Sequence, residues 1–267
     1  MTAINPARLK KQIAETKSHF REPGEFIVQL HKLFNYYADR VRRMGQSGSS
    51  PPSLPAYHVP LPVMRSLVRE LTSLLERSPS RGLLLVDALW VEEWLEMRLL
   101  AAWLLGKIPA LNPGPIRRRV LAWLATCQEK QIRRALMDQS LESLRERHFT
   151  AVTSLLDTLM EEGKRDKRQA VLYGLQGLIN QEGFSNLPLI FNHLKSILGK
   201  MEGLRGDIVP LIRGLIPISE RECFYFLQKQ FPTAAQPQMT RVIRQCLNDF
   251  SADYQQQLRQ LLRRTAG

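Results

Sequence analysis

The sequence predicts an all-α fold, a right-handed superhelix (α-solenoid) of antiparallel helix pairs. Apolar residues recur three and four apart in FIVQLHKLFNYYADRV, VMRSLVRELTSLL, PIRRRVLAWLA, FTAVTSLLDTLM and MTRVIRQCLNDF, the spacing that lines one face of a helix. Period-two alternation is nowhere sustained, so strands are not expected. Short breaks of Gly, Pro and Asn (REPGE, ALNPGP, NQEGFSNLP, FPTAAQP) suit turns between antiparallel helices.

Three regions follow. Residues 1–44 form an N-terminal helical segment, two short helices too small to hold a core alone and expected to dock on the rest. Residues 45–56, within GQSGSSPPSLPA, are small, polar and proline-rich, the composition of a flexible loop. Residues 57–267 form the repeat domain, in which helix pairs return about every 40 residues, the period of HEAT and armadillo (ARM) units. DALWVEEWLEMRLLAAWLLGKI, KRDKRQAVLYGLQGLI and GLRGDIVPLIRGLI each begin on a charged or turn residue, carry an Arg near the first turn and continue as a small/large apolar ladder. Stacking such units buries a continuous core and leaves one concave surface.

The chain has 38 Lys and Arg against 25 Asp and Glu, a formal net charge of +13. That balance points to a polyanionic partner. The excess comes in blocks: 9 basic and 4 acidic residues in 1–50, 8 and 4 in 113–147, 6 and 2 in 163–200, with an even 6 and 6 in 51–112. Arg117, Arg118 and Arg119 open one helix, Arg133 and Arg134 lie in the next, and Lys164, Arg165, Lys167 and Arg168 enter another. Basic residues at successive helix starts are candidates for phosphate contacts; the alternative is an ordinary solvated face.

Several chemistries lack support. Cys127, Cys223 and Cys246 have no C-x-x-C spacing, which argues against a disulfide framework or a cysteine zinc site. His19, His31, His58, His148 and His193 form no H-E-x-x-H or i, i+4 pair, so no metal is expected. Neither a P-loop nor a G-x-G-x-x-G is present, and an enzyme built on this chain needs no cofactor. The longest apolar run, LLAAWLLG, is far short of the roughly 20 residues of a membrane span. The expectation is a soluble, cytoplasmic chain without membrane contact.

YHVPLPVMRSLVREL (Tyr57–Leu71) followed by ALWVEEWLEMRLLAAWLLG (Ala88–Gly106) resembles the paired signature of the DNA alkylation repair family, the AlkD-like HEAT-repeat glycosylases. The shared pattern is Leu-Trp, a short acidic turn, Glu-x-Arg and an alanine-rich apolar helix. Lys167 and Arg168 in GKRDKRQAVLYGL match that family's basic pair before an apolar helix. The resemblance implies a solenoid whose concave basic face holds double-stranded DNA and, in active members, excision of alkylated purines. Those members carry a tryptophan-and-aspartate motif one helix pair later. Here that position reads ATCQEKQIRRALMDQS, with no Trp and with Gln131 near the expected acid, which implies a degenerate or altered catalytic centre.

The missing acid matters because an alkylated purine leaves as a cation. What an enzyme must stabilise is the oxocarbenium-like sugar, a task for a carboxylate. Asp138 and Asp157 are the substitute candidates, although an exposed or helix-pairing carboxylate is the more common role for such a residue. Trp103 and Trp123 read as core residues and Trp94 less firmly so, although tryptophans can also stack on bases. Glu96 and Arg98, two apart, do not face each other and are expected to bond a neighbouring repeat or a helix end. The alternative to a DNA-binding protein is a non-enzymatic HEAT/ARM scaffold whose concave face takes an acidic protein segment.

Overall fold

The structure is a computed structural model that describes residues 4–39, 53–232 and 236–264. Among these residues every regular element is a helix: α1 (Pro6–Ser18), α2 (Pro23–Tyr37), α3 (Leu61–Arg77), α4 (Pro79–Val91), α5 (Leu95–Lys107), α6 (Pro113–Thr126), α7 (Lys130–Met137), α8 (Glu142–Arg147), α9 (Phe149–Glu161), α10 (Arg165–Ile179), α11 (Leu187–Leu198), α12 (Arg205–Leu215), α13 (Glu220–Gln230), α14 (Gln236–Cys246), a 3-10 turn at Leu247–Asp249, and α15 (Ala252–Arg264). Proline occupies the first or second position of α1, α2, α3, α4, α6 and α11. Its fixed φ suits that position, and its missing N–H would have no partner there. Asn5, Asn112 and Asn186 cap α1, α6 and α11 by accepting backbone N–H groups.

The chain divides into two compact units, Met1–Ser154 and Leu155–Gly267. In the first, α1, α3, α5 and α7 contact one another in succession and form one layer, while α4 packs against α2, α3 and α5. The start of α1 meets the end of α2, where Arg8 lies over Tyr36 and Gln12 bonds Tyr37, so this pair is antiparallel. In the second unit, α10, α12 and α14 contact in succession, as do α11 and α13, and α13 and α15.

This i to i+2 succession is the packing of HEAT-like repeats, and the polar bonds carry the same period. Ser140 Oγ donates to the Ala102 carbonyl at 2.8 Å, 38 residues away. In the second unit Arg165 donates to the Gly203 carbonyl and Gln169 to Asp207, both again 38 apart, and Arg213 reaches Asp249 after 36. Among the described residues no helix is long and apolar enough to cross a membrane.

The core of the first unit is centred on α5. Leu95, Met97, Leu100, Ala101, Ala102, Leu104 and Leu105 are all buried. Gly106 permits the closest approach: a Cβ there would lie 1.9 Å from the Gln139 carbonyl oxygen, so no side chain fits where α5 meets the turn after α7. Of the proline-rich segment assigned to residues 45–56, residues 45–52 lie outside the described residues. Its described end is held: Ser53 Oγ donates to Glu129 at the start of α7, and the Pro55 carbonyl accepts from Leu95 N at the start of α5.

Candidate nucleic-acid interface

The acidic turn Glu92–Trp94 separates α4 from α5, so the three crowded tryptophans of this stretch sit on different elements. Trp90, near the end of α4, stacks on Trp123 of α6 at 4.3 Å and 5°. Trp94 stacks on Tyr57 at 4.1 Å and 15°. Arg98 donates through Nε to the carbonyls of Trp90 and Glu92, closing the end of α4 with a cation, as its spacing from Glu96 predicts.

Glu96 is buried, with 5% of its surface exposed. Its carboxylate accepts the backbone N–H groups of Tyr57 (3.0 Å), His58 (2.7 Å) and Val59 (3.4 Å), the lead-in to α3. His31 joins the same knot, with Nδ1 2.7 Å from Tyr57 Oη and Nε2 3.1 Å from Glu92. Burial, and then the charges of Glu96 and Glu92, push the Tyr57 hydroxyl pKa up. With its polar groups satisfied internally, the cluster is a joint between repeats.

Beside that joint lies an open face. A helical wheel with 100° per residue puts the Ala102 and Gly106 side of α5 toward the turn after α7, and Arg98 toward α4. What remains is one solvent-reaching stripe, Leu99, Trp103 and Lys107, at i, i+4 and i+8. The exposed stripe of α3 carries Arg65 and Arg69, and that of α7 carries Gln131 and Arg134. Arg65 and Arg69 were not among the sequence candidates, and Trp103, read from sequence as a core residue, is half-buried. For the arginines the usable signal was their i, i+4 spacing opposite the buried row Leu67, Leu71 and Leu75.

The basic candidates divide by environment. Arg118 and Arg134 are exposed and Arg117 is half-buried. Arg119 grips Asp87 with two bonds of 2.8 and 2.6 Å, tying α6 to α4. Arg133 is buried and donates to the Cys127 carbonyl. In the second unit Lys164 and Arg165 are exposed, Arg168 donates to the Gly163 carbonyl, and Lys167 is buried against Glu162 at 3.4 Å.

The two candidate carboxylates are both engaged. Asp138 follows α7, accepts from Gln139 Nε2 at 2.7 Å and lies 4.0 Å from Arg145, whose Nη1 also donates to the Asp138 backbone carbonyl. Burial pushes its carboxyl pKa up, opposed by Arg145 and Arg134. Asp157 is exposed and 3.4 Å from His193 Nε2. Burial holds His193 below the ordinary histidine range, with Asp157 opposing. Gln131 is exposed and carries no charge.

The thiols are poor nucleophiles: burial raises the pKa of Cys127 and pushes Cys223 and Cys246 up to about 12. Among the described residues no group of His, Cys, Asp and Glu could hold a metal ion.

One family model, that of the DNA alkylation repair enzyme, matches residues 30–204. No curated protein and no solved structure matches the chain significantly.

Proposed function

Because the chain belongs to the DNA alkylation repair enzyme family, we propose that it binds double-stranded DNA through basic residues exposed on its helices, with a catalytic centre altered from that of the family's glycosylases. The observation that carries this reading is the family match over residues 30–204. The net charge of +13 agrees with it. In the first unit the contacts are Arg118 and Arg134, and in the second Lys164 and Arg165, all exposed. Such residues gain affinity by releasing counterions from phosphates and carry no sequence information themselves.

The altered centre is supported at the level of charge. Excision of a cationic base needs a fixed negative charge beside the sugar, and Gln131 is a neutral amide. Asp138 is half-buried with a raised pKa, and Asp157 is paired with His193. Excision by either, if it occurs, requires no cofactor. A second reading, a protein-interaction scaffold, is favoured by one observation: Leu84 and Val91, seven apart on α4, are 62% and 74% exposed.

The test is a titration of the full chain with duplex DNA across a salt series. The logarithm of affinity should fall steeply with the logarithm of salt, and Arg118→Gln and Arg134→Gln should each flatten the slope by about 1. Undetectable binding at low salt, with capture of an acidic peptide instead, would leave the scaffold.

A further inference from the structure

We propose that Trp103 is a stacking platform for an unpaired nucleobase of DNA, with Arg65 and Arg69 holding the phosphates beside it. This rests on the DNA-binding reading above and names the residue that meets a base. The starting point is how differently the four tryptophans are treated. Trp90 and Trp123 stack on each other, and Trp94 stacks on Tyr57. Trp103 makes no ring contact and no hydrogen bond among the described residues.

Its position makes that difference useful. Helix α5 is packed against α3, α4, α7 and α8, and Trp103 is the central residue of a stripe, Leu99, Trp103 and Lys107, that stays partly exposed among the described residues. The indole is half-buried and its N–H has no partner among the described residues, although a buried Trp usually finds one. Lys107, one turn later, is neutralised by Glu142. Along its own helix the ring is therefore flanked by Leu99 one turn before it and by an ion-paired lysine one turn after.

The flanking charges fit a nucleic acid. Arg65 and Arg69 are exposed at i, i+4 on α3, the helix packed against α5, and neither has a hydrogen-bond or ion-pair partner among the described residues. Like charges at that spacing weaken a helix by a few tenths of a kcal/mol. A phosphate between them removes the repulsion and takes bidentate bonds from a guanidinium. Gln131, exposed on α7, which also packs against α5, offers both a donor and an acceptor to a base edge. Stacking tolerates any base, so the preference is for an unpaired base rather than for a sequence. A bulged base enters most easily, because no pairing has to be broken.

The experiment compares two labelled duplexes, one fully paired and one with a single-base bulge, against the full chain, Trp103→Leu and Trp103→Phe. The wild type should bind the bulged duplex roughly tenfold more tightly. Trp103→Leu should bind both duplexes equally, and Trp103→Phe should keep most of the preference. Tryptophan emission should be quenched by the bulged duplex in the wild type and not in Trp103→Phe, a readout that survives even if Trp103→Leu folds poorly. A wild type that binds both duplexes equally, or a Trp103→Leu variant that keeps the full preference, overturns the platform and leaves DNA binding intact. A wild type that binds neither duplex overturns both.

Discussion

The carboxylate of Glu96 holds the backbone of His58, accepting its N–H at 2.7 Å. His58 is the one non-glycine residue with positive φ, 56°, among those described. The left-handed conformation turns three successive N–H groups toward one acceptor, and that acceptor is what fixes the lead-in to α3 against α5. Glu96→Ala leaves those buried donors unmatched and should destabilise the first unit by about 3 kcal/mol. His58→Gly removes the left-handed strain at some entropic cost and should be neutral or stabilising by up to about 1 kcal/mol. Urea midpoints read both, and amide exchange at Tyr57, His58 and Val59 should accelerate in Glu96→Ala alone.

Arg118 and Arg119 are neighbours with opposite assignments. Arg119 is bound to Asp87, with side chains 22% and 42% exposed, so Arg119→Gln should lower stability by about 1 kcal/mol or less. Arg118→Gln should leave stability unchanged and lower the salt dependence of DNA binding. A chemical denaturation series and a salt-dependent titration on both variants separate the two roles. Equal effects on DNA binding with no loss of stability in Arg119→Gln would contradict the assignment.

Asp138 carries a pH signature. Burial raises its carboxyl above the ordinary value of 3.8, so just above that pH the folded chain holds a proton that the unfolded chain has released. Stability from this group is therefore lost as pH rises through the raised pKa and stays lost at neutral pH. Asp138→Asn removes the term. Measured as the variant minus wild-type difference, stability should shift in favour of the variant between pH 4 and neutrality. An opposite trend would mean that Arg145 outweighs burial.

Much of this architecture was readable because burial follows the helical period. Leu67, Leu71 and Leu75 announce the inner face of α3, and the spacing of Glu96 and Arg98 already required partners outside their own helix. The repeat period returned as hydrogen bonds 36 to 38 residues apart. What stayed hidden depends on neighbours distant in sequence. Arg117, Arg118 and Arg119 are alike in sequence but point about 100° apart, and only the position of Asp87, 32 residues earlier, decides that Arg119 is the one that grips it. Trp103 lies in a helix whose apolar residues fall on every side, so no continuous polar face marks its open stripe. Its partial exposure follows from α3, α4, α7 and α8 packing on the other sides.

Incubation of the protein with a saturating concentration of duplex carrying methylated purines tests the central claim most directly. Saturable binding with no methylpurine released above the spontaneous rate is the predicted result. Release that is enzyme-dependent and abolished by Asp138→Asn or Asp157→Asn would contradict it, and would assign to that carboxylate the charge that Gln131 lacks.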